Sequence, residues 1–153
     1  MFFDFGNLYD RAIEEAPFHS TLVELGVAHG ISLAYLGTKA RESNKHLRVI
    51  GIDNFRYTSE VEARKHVASC HVDLFCGDSA DMSEHFNDVW FVFIDADHSY
   101  EGVKRDIVAW HPKITPGGVI AGHDAIRVPV HNAIKDVFGR FARVQPSSWW
   151  VYV

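Results

Sequence analysis

Two cysteines, Cys70 and Cys76, are all that this 153-residue chain offers for disulfide chemistry. They are too few for a stapled scaffold and lack the paired spacing of a structural zinc site. Cys76 sits in an apolar, strand-like run, which predicts a buried and inert thiol. No apolar run approaches the ~18–20 residues that span a bilayer. The opening Met1-Phe2-Phe3-Asp4-Phe5 lacks the basic n-region and long apolar stretch of a signal peptide. The expectation is a cytoplasmic chain with no membrane partner. Basic tracts are missing too, and with a net charge of −5 this argues against a nucleic-acid partner. There is no internal repeat, low-complexity tract or linker rich in Pro, Gly or Ser. At 47% hydrophobic residues, the chain reads as one domain over 1–153 with a core of its own.

What is present is alternation. Leu8, Ala12, Ile13 and Ala16 share a helical face before Pro17 ends the segment. Apolar, β-branched runs then predict strands at about 21–27, 47–53, 71–76, 89–95 and 118–123. Between them, helices are expected at about 31–41, 59–69, 79–86, 100–110 and 129–138. The runs 21–27, 47–53 and 89–95 are apolar nearly throughout, as in strands covered on both faces. Ser99 is a good N-cap for the helix after it, in which Tyr100, Val103, Ile107 and Trp110 form one stripe. Beyond Arg143 the rhythm breaks into a turn and an aromatic, β-branched run, Trp149-Trp150-Val151-Tyr152-Val153, which predicts a terminal hairpin. The fold class is therefore α/β: a doubly wound, mostly parallel, Rossmann-like sheet with helices on both faces and an antiparallel hairpin at its end. The aromatics near the two ends (Phe2, Phe3, Phe5, Trp149 and Trp150) are assigned to the interior, and a homo-oligomer is left open.

Open parallel sheets bind ligands at the carboxyl ends of their strands, and the acids of this chain gather there. In Glu24-Leu25-Gly26-Val27-Ala28-His29-Gly30, Gly26 permits close approach of a ligand to the backbone and Gly30 a tight turn before a helix opened by Ser32. The glycines do not follow the dinucleotide spacing, since Ala28 interrupts them. Asp53, with Asn54 after it, closes the second strand at about the ~20-residue separation expected of a carboxylate on a ribose diol. Asp78 and Ser79 close the third, where Asp78 either meets an adenine amine or caps the next helix.

The ordered set Val23-Glu24-Leu25-Gly26, Gly30, Ile52-Asp53, Gly77-Asp78-Ser79, Phe93-Ile94-Asp95-Ala96-Asp97-His98-Ser99-Tyr100 and Gly117-Gly118-Val119-Ile120-Ala121-Gly122-His123-Asp124 resembles class I S-adenosylmethionine-dependent methyltransferases. More narrowly it is similar to a small bacterial and phage branch with Asp-x-Asp-His-Ser-Tyr and Gly-His-Asp motifs. The resemblance covers nearly the whole chain and implies a seven-stranded sheet. It places Glu24 and Gly26 near the methionine part of the cofactor, Asp53 at the ribose, Asp78 and Ser79 at the adenine, and Asp95 near the transferring methyl, with Gly30 and Asn54 also among the expected cofactor-binding residues. Related branches hold a divalent ion between acids that match Asp95 and Asp124. The third ligand there is an asparagine, and here that position is Ala125, so His123 or His98 would have to serve. Carboxylates favour Mg²⁺, whereas an added imidazole shifts preference to a transition metal.

His98 occupies the step where the metal-dependent pattern carries a lysine base, and an imidazole can take a proton from a hydroxyl at neutral pH. The expected activity is methyl transfer from S-adenosylmethionine to an oxygen, a hydroxyl, of a small molecule or sugar. Two alternatives stand beside it: a binding module that keeps the cofactor without catalysis, and a metal-dependent hydrolase using Asp95, Asp97, His98, His123 and Asp124.

Overall fold

The computed structural model describes residues 3–144 and 146–153, so Phe2 and its expected packing lie outside the described residues. The chain runs α1 (Gly6–Glu15), β1 (Thr21–Leu25), α2 (Ile31–Glu42), β2 (Arg48–Asp53), α3 (Glu60–Val67) and β3 (Val72–Cys76). It continues through β4 (Val89–Ile94), α4 (Tyr100–Trp110), β5 (Ile114–Gly122), α5 (Val128–Phe138), β6 (Ala142–Val144) and β7 (Ser148–Tyr152). The seven strands form one sheet in the order β3-β2-β1-β4-β5-β7-β6. Pairing is parallel through β5, while β7 lies antiparallel to β5 and β6. The terminal hairpin thus inserts its second strand against β5, as the broken rhythm of the tail predicts.

Alternation along each strand divides the core between the two faces. Leu22, Phe91, Phe93 and Trp150 point to one face, where α1, α2 and α3 supply Leu8, Leu33, Leu36 and Ala63. Val23, Leu25, Val92, Ile94 and Trp149 point to the other, against Val103, Ile107 and Trp110 of α4 and Val130 and Ile134 of α5. The neighbouring Trp149 and Trp150 therefore anchor opposite layers, and both are buried. Phe5, Trp149 and Trp150 are interior, as expected.

Three expectations change. Cys76 is exposed and Cys70 is the buried thiol, because β3 is an edge strand and Cys76 is its last residue. The helix expected at 79–86 is a short 3₁₀ turn, Asp81–His85. The Asp78 carboxylate accepts the amides of Ala80 and Asp81, both at 3.1 Å, and this tightens the chain into a turn before it extends again at Phe86. The fifth strand starts at Ile114 rather than 118 and carries a register irregularity against β4. Among the described residues, no helix is long and apolar enough to cross a membrane.

Strand order reverses between β1 and β4, since β2 and β3 continue to one side of β1 and β5 to the other. A crevice opens at such a reversal, beyond the carboxyl ends of the two central strands. Glu24, Gly26, Asp53, Asp95 and Asp124 all belong to that rim.

Candidate active site

A cavity of about 730 Å³ occupies the crevice, lined among others by Asp53 from β2, Ser79 after β3 and Asp95 and His98 after β4. A smaller lobe of about 240 Å³ shares Gly26, Ala28 and Asp95 with it and is closed by Phe3, Phe5 and His123. The main volume falls in the range of small-molecule and cofactor sites.

The loop after β1 is tightly wound, with left-handed backbone at Gly26 (φ 87°), Ala28 (φ 50°) and Gly30 (φ 81°). Gly26 has a role that its sequence context does not reveal. A Cβ there would stand 2.2 Å from the Asp95 carbonyl oxygen, so the glycine is demanded by the adjoining strand end as well as by any ligand. Ser32 does not open α2, whose N-cap is Gly30; instead the Ser32 hydroxyl donates to Glu24 Oε1 at 2.6 Å. Asp53 braces the loop: Oδ2 accepts from the Ala28 amide at 2.8 Å and Oδ1 from the Phe55 amide at 2.7 Å. Each carboxylate oxygen keeps a second lone pair for a ligand hydroxyl. Asn54 is exposed and turns its side-chain oxygen to the Arg56 amide at 2.9 Å.

Glu24 is buried, and its Oε2 accepts from Tyr9 at 2.8 Å. Burial pushes its carboxyl up to about 8 despite the hydrogen bonds from Ser32 and Tyr9, and the charges of Asp95 and Asp53 add to the rise. Tyr9, supplied by α1, is raised well above its usual range by its own burial and by Glu24. Residue spacing gives no sign of this partnership.

At the other end, ligating atoms of Asp95, His98 and Asp124 lie within 4.8 Å of one another. His98 Nε2 stands 3.1 Å from Asp95 Oδ1 and 3.1 Å from Asp124 Oδ2. The hydrogen bond to Asp95 raises the His98 pKa above its ordinary value, partly offset by burial. His123 Nδ1 faces the same acids at 3.8 and 3.6 Å. Its Nε2 meets Asp4 Oδ1 at 2.9 Å and Ser147 Oγ at 2.8 Å. A carboxylate behind the far nitrogen of an imidazole is the usual support for a metal-ligating histidine. Two carboxylate oxygens and an imidazole nitrogen fit a borderline divalent ion such as Mn²⁺ better than Mg²⁺. His29, by contrast, turns to Glu62 at 3.2 Å.

Beyond β3, Asp78 is tied chiefly through Oδ1. Besides the two amides, its oxygens hold Arg105 at 2.8 and 3.0 Å. The Ser79 hydroxyl donates to Asp106 Oδ1 at 2.5 Å, and Trp110 Nε1 donates to the Ser79 carbonyl at 2.8 Å. Burial pushes the Asp106 carboxyl up to about 6, opposed by the Ser79 hydrogen bond. One signal for Asp106 lies in the sequence: it falls on the apolar stripe of α4, between Val103 and Trp110, and an acid on a buried face is unexpected.

A doubly wound sheet reversing at β1 and β4, with an acid at each rim position and a terminal antiparallel hairpin, defines a class I S-adenosylmethionine-dependent methyltransferase. The chain belongs to a family described as "Methyltransferase domain", whose model matches residues 23–125. Among solved structures it is similar to CalS11, a TDP-rhamnose 3'-O-methyltransferase of calicheamicin biosynthesis, at 17% identity and a TM-score of 0.72, covering 96% of this chain and 76% of that one. The O-methyltransferase NovP aligns at 15% identity and a TM-score of 0.78, covering 96% of this chain and 78% of that one. MycE, a methyltransferase of the mycinamycin pathway seen with Mg, SAH and mycinamycin VI, aligns at 15% identity and a TM-score of 0.66. That match covers 96% of this chain but 48% of MycE. Identities this low speak for the fold. No curated protein matches the chain in sequence.

Proposed function

We propose that the chain transfers the methyl group of S-adenosylmethionine to a hydroxyl oxygen of a small molecule or sugar. The observation that carries this reading is the cluster of Asp95, His98 and Asp124 at one end of a cavity whose middle presents the Asp53 carboxylate. Adjacent strands lie ~4.8 Å apart, so the rim from β3 to β4 spans three spacings, roughly 14 Å. An adenosyl donor laid along it puts its ribose on Asp53, its base beside Ser79 and its sulfonium near Asp95. Glu24, Gly26 and Gly30 shape the methionine end, Asn54 flanks the ribose, and Asp78 holds the loop that presents Ser79. The lining is rich in carboxylates, which suits a cationic sulfonium.

The sulfonium carbon is already electrophilic, so the protein's work is alignment and handling of the acceptor proton. His98 takes that proton as general base. Asp95, Asp124 and the Nδ1 of His123 form the set that would hold a divalent ion. Such an ion lowers the pKa of a bound hydroxyl and orients it. Asp4 and Ser147 hold His123 in the required orientation. The acceptor fits the identity of two of the similar structures, a sugar and an antibiotic pathway.

The test pairs two variants. Asp53→Ala is expected to weaken binding of S-adenosylhomocysteine tenfold or more by calorimetry. His98→Ala is expected to leave that affinity within threefold while lowering turnover by about 10²–10⁴, the usual contribution of a positioned base. S-adenosylhomocysteine release is followed with nucleotide sugars and phenols as acceptors, with and without Mn²⁺. Undiminished turnover in His98→Ala removes the base assignment. Binding without turnover across all acceptors favours the non-catalytic module instead.

A further inference from the structure

The acid that sequence reasoning passes over, Asp106, sits behind the base end of the cavity. We propose that Asp106 is a positioning residue for base selection: by taking the single proton of the Ser79 hydroxyl, it leaves Ser79 Oγ able only to accept, so the pocket admits a purine with an exocyclic amine and rejects a keto purine. The proposal rests on the reading of the cavity as an adenosyl-donor site.

Serine has one O–H to donate and two lone pairs to accept with. Ser79 spends its donor on Asp106 Oδ1 at 2.5 Å, and both residues line the main cavity. The remaining capacity of Oγ is acceptance. The amine of adenine is a donor, whereas the carbonyl that replaces it in hypoxanthine is an acceptor and would face lone pair against lone pair.

Ser79 is also fixed from behind, because Trp110 Nε1 holds its carbonyl at 2.8 Å. Both Asp106 and Trp110 belong to α4, one turn apart, so a single helix sets the backbone and the hydroxyl of one residue. The alternative reader of an amine, Asp78, spends Oδ1 on Arg105 and the amides of Ala80 and Asp81 and gives Oδ2 to Arg105, so an Asp78→Asn variant separates its share of the selection from that of Ser79 and Asp106. Asp106 itself is 2% exposed, and its Oδ2 is buried with no partner. An acid kept in such a place costs stability that an apolar residue would not. A role in recognition accounts for its presence.

The experiment measures the dissociation constants of S-adenosylhomocysteine and of its deaminated analogue S-inosylhomocysteine, and reads their ratio. The wild type is expected to favour the amine at least tenfold. In Asp106→Leu the freed hydroxyl can turn its proton to the analogue's carbonyl, and the ratio is expected to fall below threefold. Asp106→Asn, whose amide oxygen can still accept from Ser79, restores the preference. Ser79→Ala, which removes the accepting oxygen itself, is expected to lose it, and this variant decides the matter should Asp106→Leu fail to fold. A purely structural tie predicts that both ligands weaken by one common factor in Asp106→Leu, and that outcome overturns the proposal. So does a wild type with no preference, or a ratio that collapses in Asp78→Asn and survives in Asp106→Leu. A wild type that binds neither ligand brings down the donor-site reading itself, a result distinct from binding with a flat ratio.

Discussion

Glu24 shows how one residue can link burial to the working pH of a site. Its carboxyl is enclosed between Tyr9 and Ser32, and burial holds its pKa at about 8 in the fold against an ordinary 4.5. The native state therefore binds a proton that the unfolded chain releases across this window. Stability contributed by the protonated form is complete below pH 4.5 and is lost as pH rises through 8. One pKa unit is worth about 1.4 kcal/mol, so the whole window amounts to at most about 5 kcal/mol. Glu24→Gln removes the titration. Denaturant unfolding from pH 5 to 9 is expected to show the variant gaining on the wild type as pH rises. Parallel curves for the two proteins would mean that Glu24 is ionised throughout.

The elements explain both what could be read from the chain and what could not. Strand and helix order followed from apolar periodicity, and the hairpin from the missing helix before Trp149. The positions of Asp53, Asp95 and Asp124 followed from strand ends, because a parallel sheet sends every strand end to one rim. Contacts between distant segments carry no such period. The partnership of Tyr9 with Glu24, the hold of Asp4 on His123 and the reach of Asp106 to Ser79 join different elements, and spacing along the chain is silent about them. Cys76 failed for a related reason: an apolar run does not say which strand lies at the sheet edge. Gly26 belongs here too, since its need arises from the β4 end packed against it. Gly26→Ala combines an unfavourable φ of 87° with a Cβ 2.2 Å from the Asp95 carbonyl. The β1 and β4 ends must separate to admit it. A loss of about 2 kcal/mol or more is expected, in the range of misfitted backbone positions, together with weakened binding of S-adenosylhomocysteine. A variant as stable as the wild type would show that the two ends part freely.

At the scale of the molecule, the site divides into two regions that different parts of the fold build. The end proposed to take the adenosyl group is assembled from β2, the β3 loop and α4. The acid cluster comes from β4 and β5, backed by Asp4 ahead of α1 and by Ser147 at the hairpin turn. In the fold, His98 stands between Asp95 and Asp124 at 3.1 Å from each and offsets part of their charge. A divalent cation would supply that balance more fully and leave the imidazole free to accept a proton. A ligand that binds only the native state at a hundred times its dissociation constant adds about 2.7 kcal/mol of stability. For a chain of this size that is a rise of about 5–10 °C in Tm. Mn²⁺ is expected to raise Tm on this scale, Mg²⁺ at equal concentration less, because an imidazole in the donor set favours the softer ion. Asp124→Asn should abolish the Mn²⁺ shift while leaving the stabilisation by S-adenosylhomocysteine, since Asp124 does not line the adenosyl cavity. Equal shifts with both metals would assign the ion to carboxylates alone, with His123 serving only to hold Asp4 and the hairpin turn in place. No shift with either metal would leave His98, paired with the two acids, as the whole of the catalytic cluster.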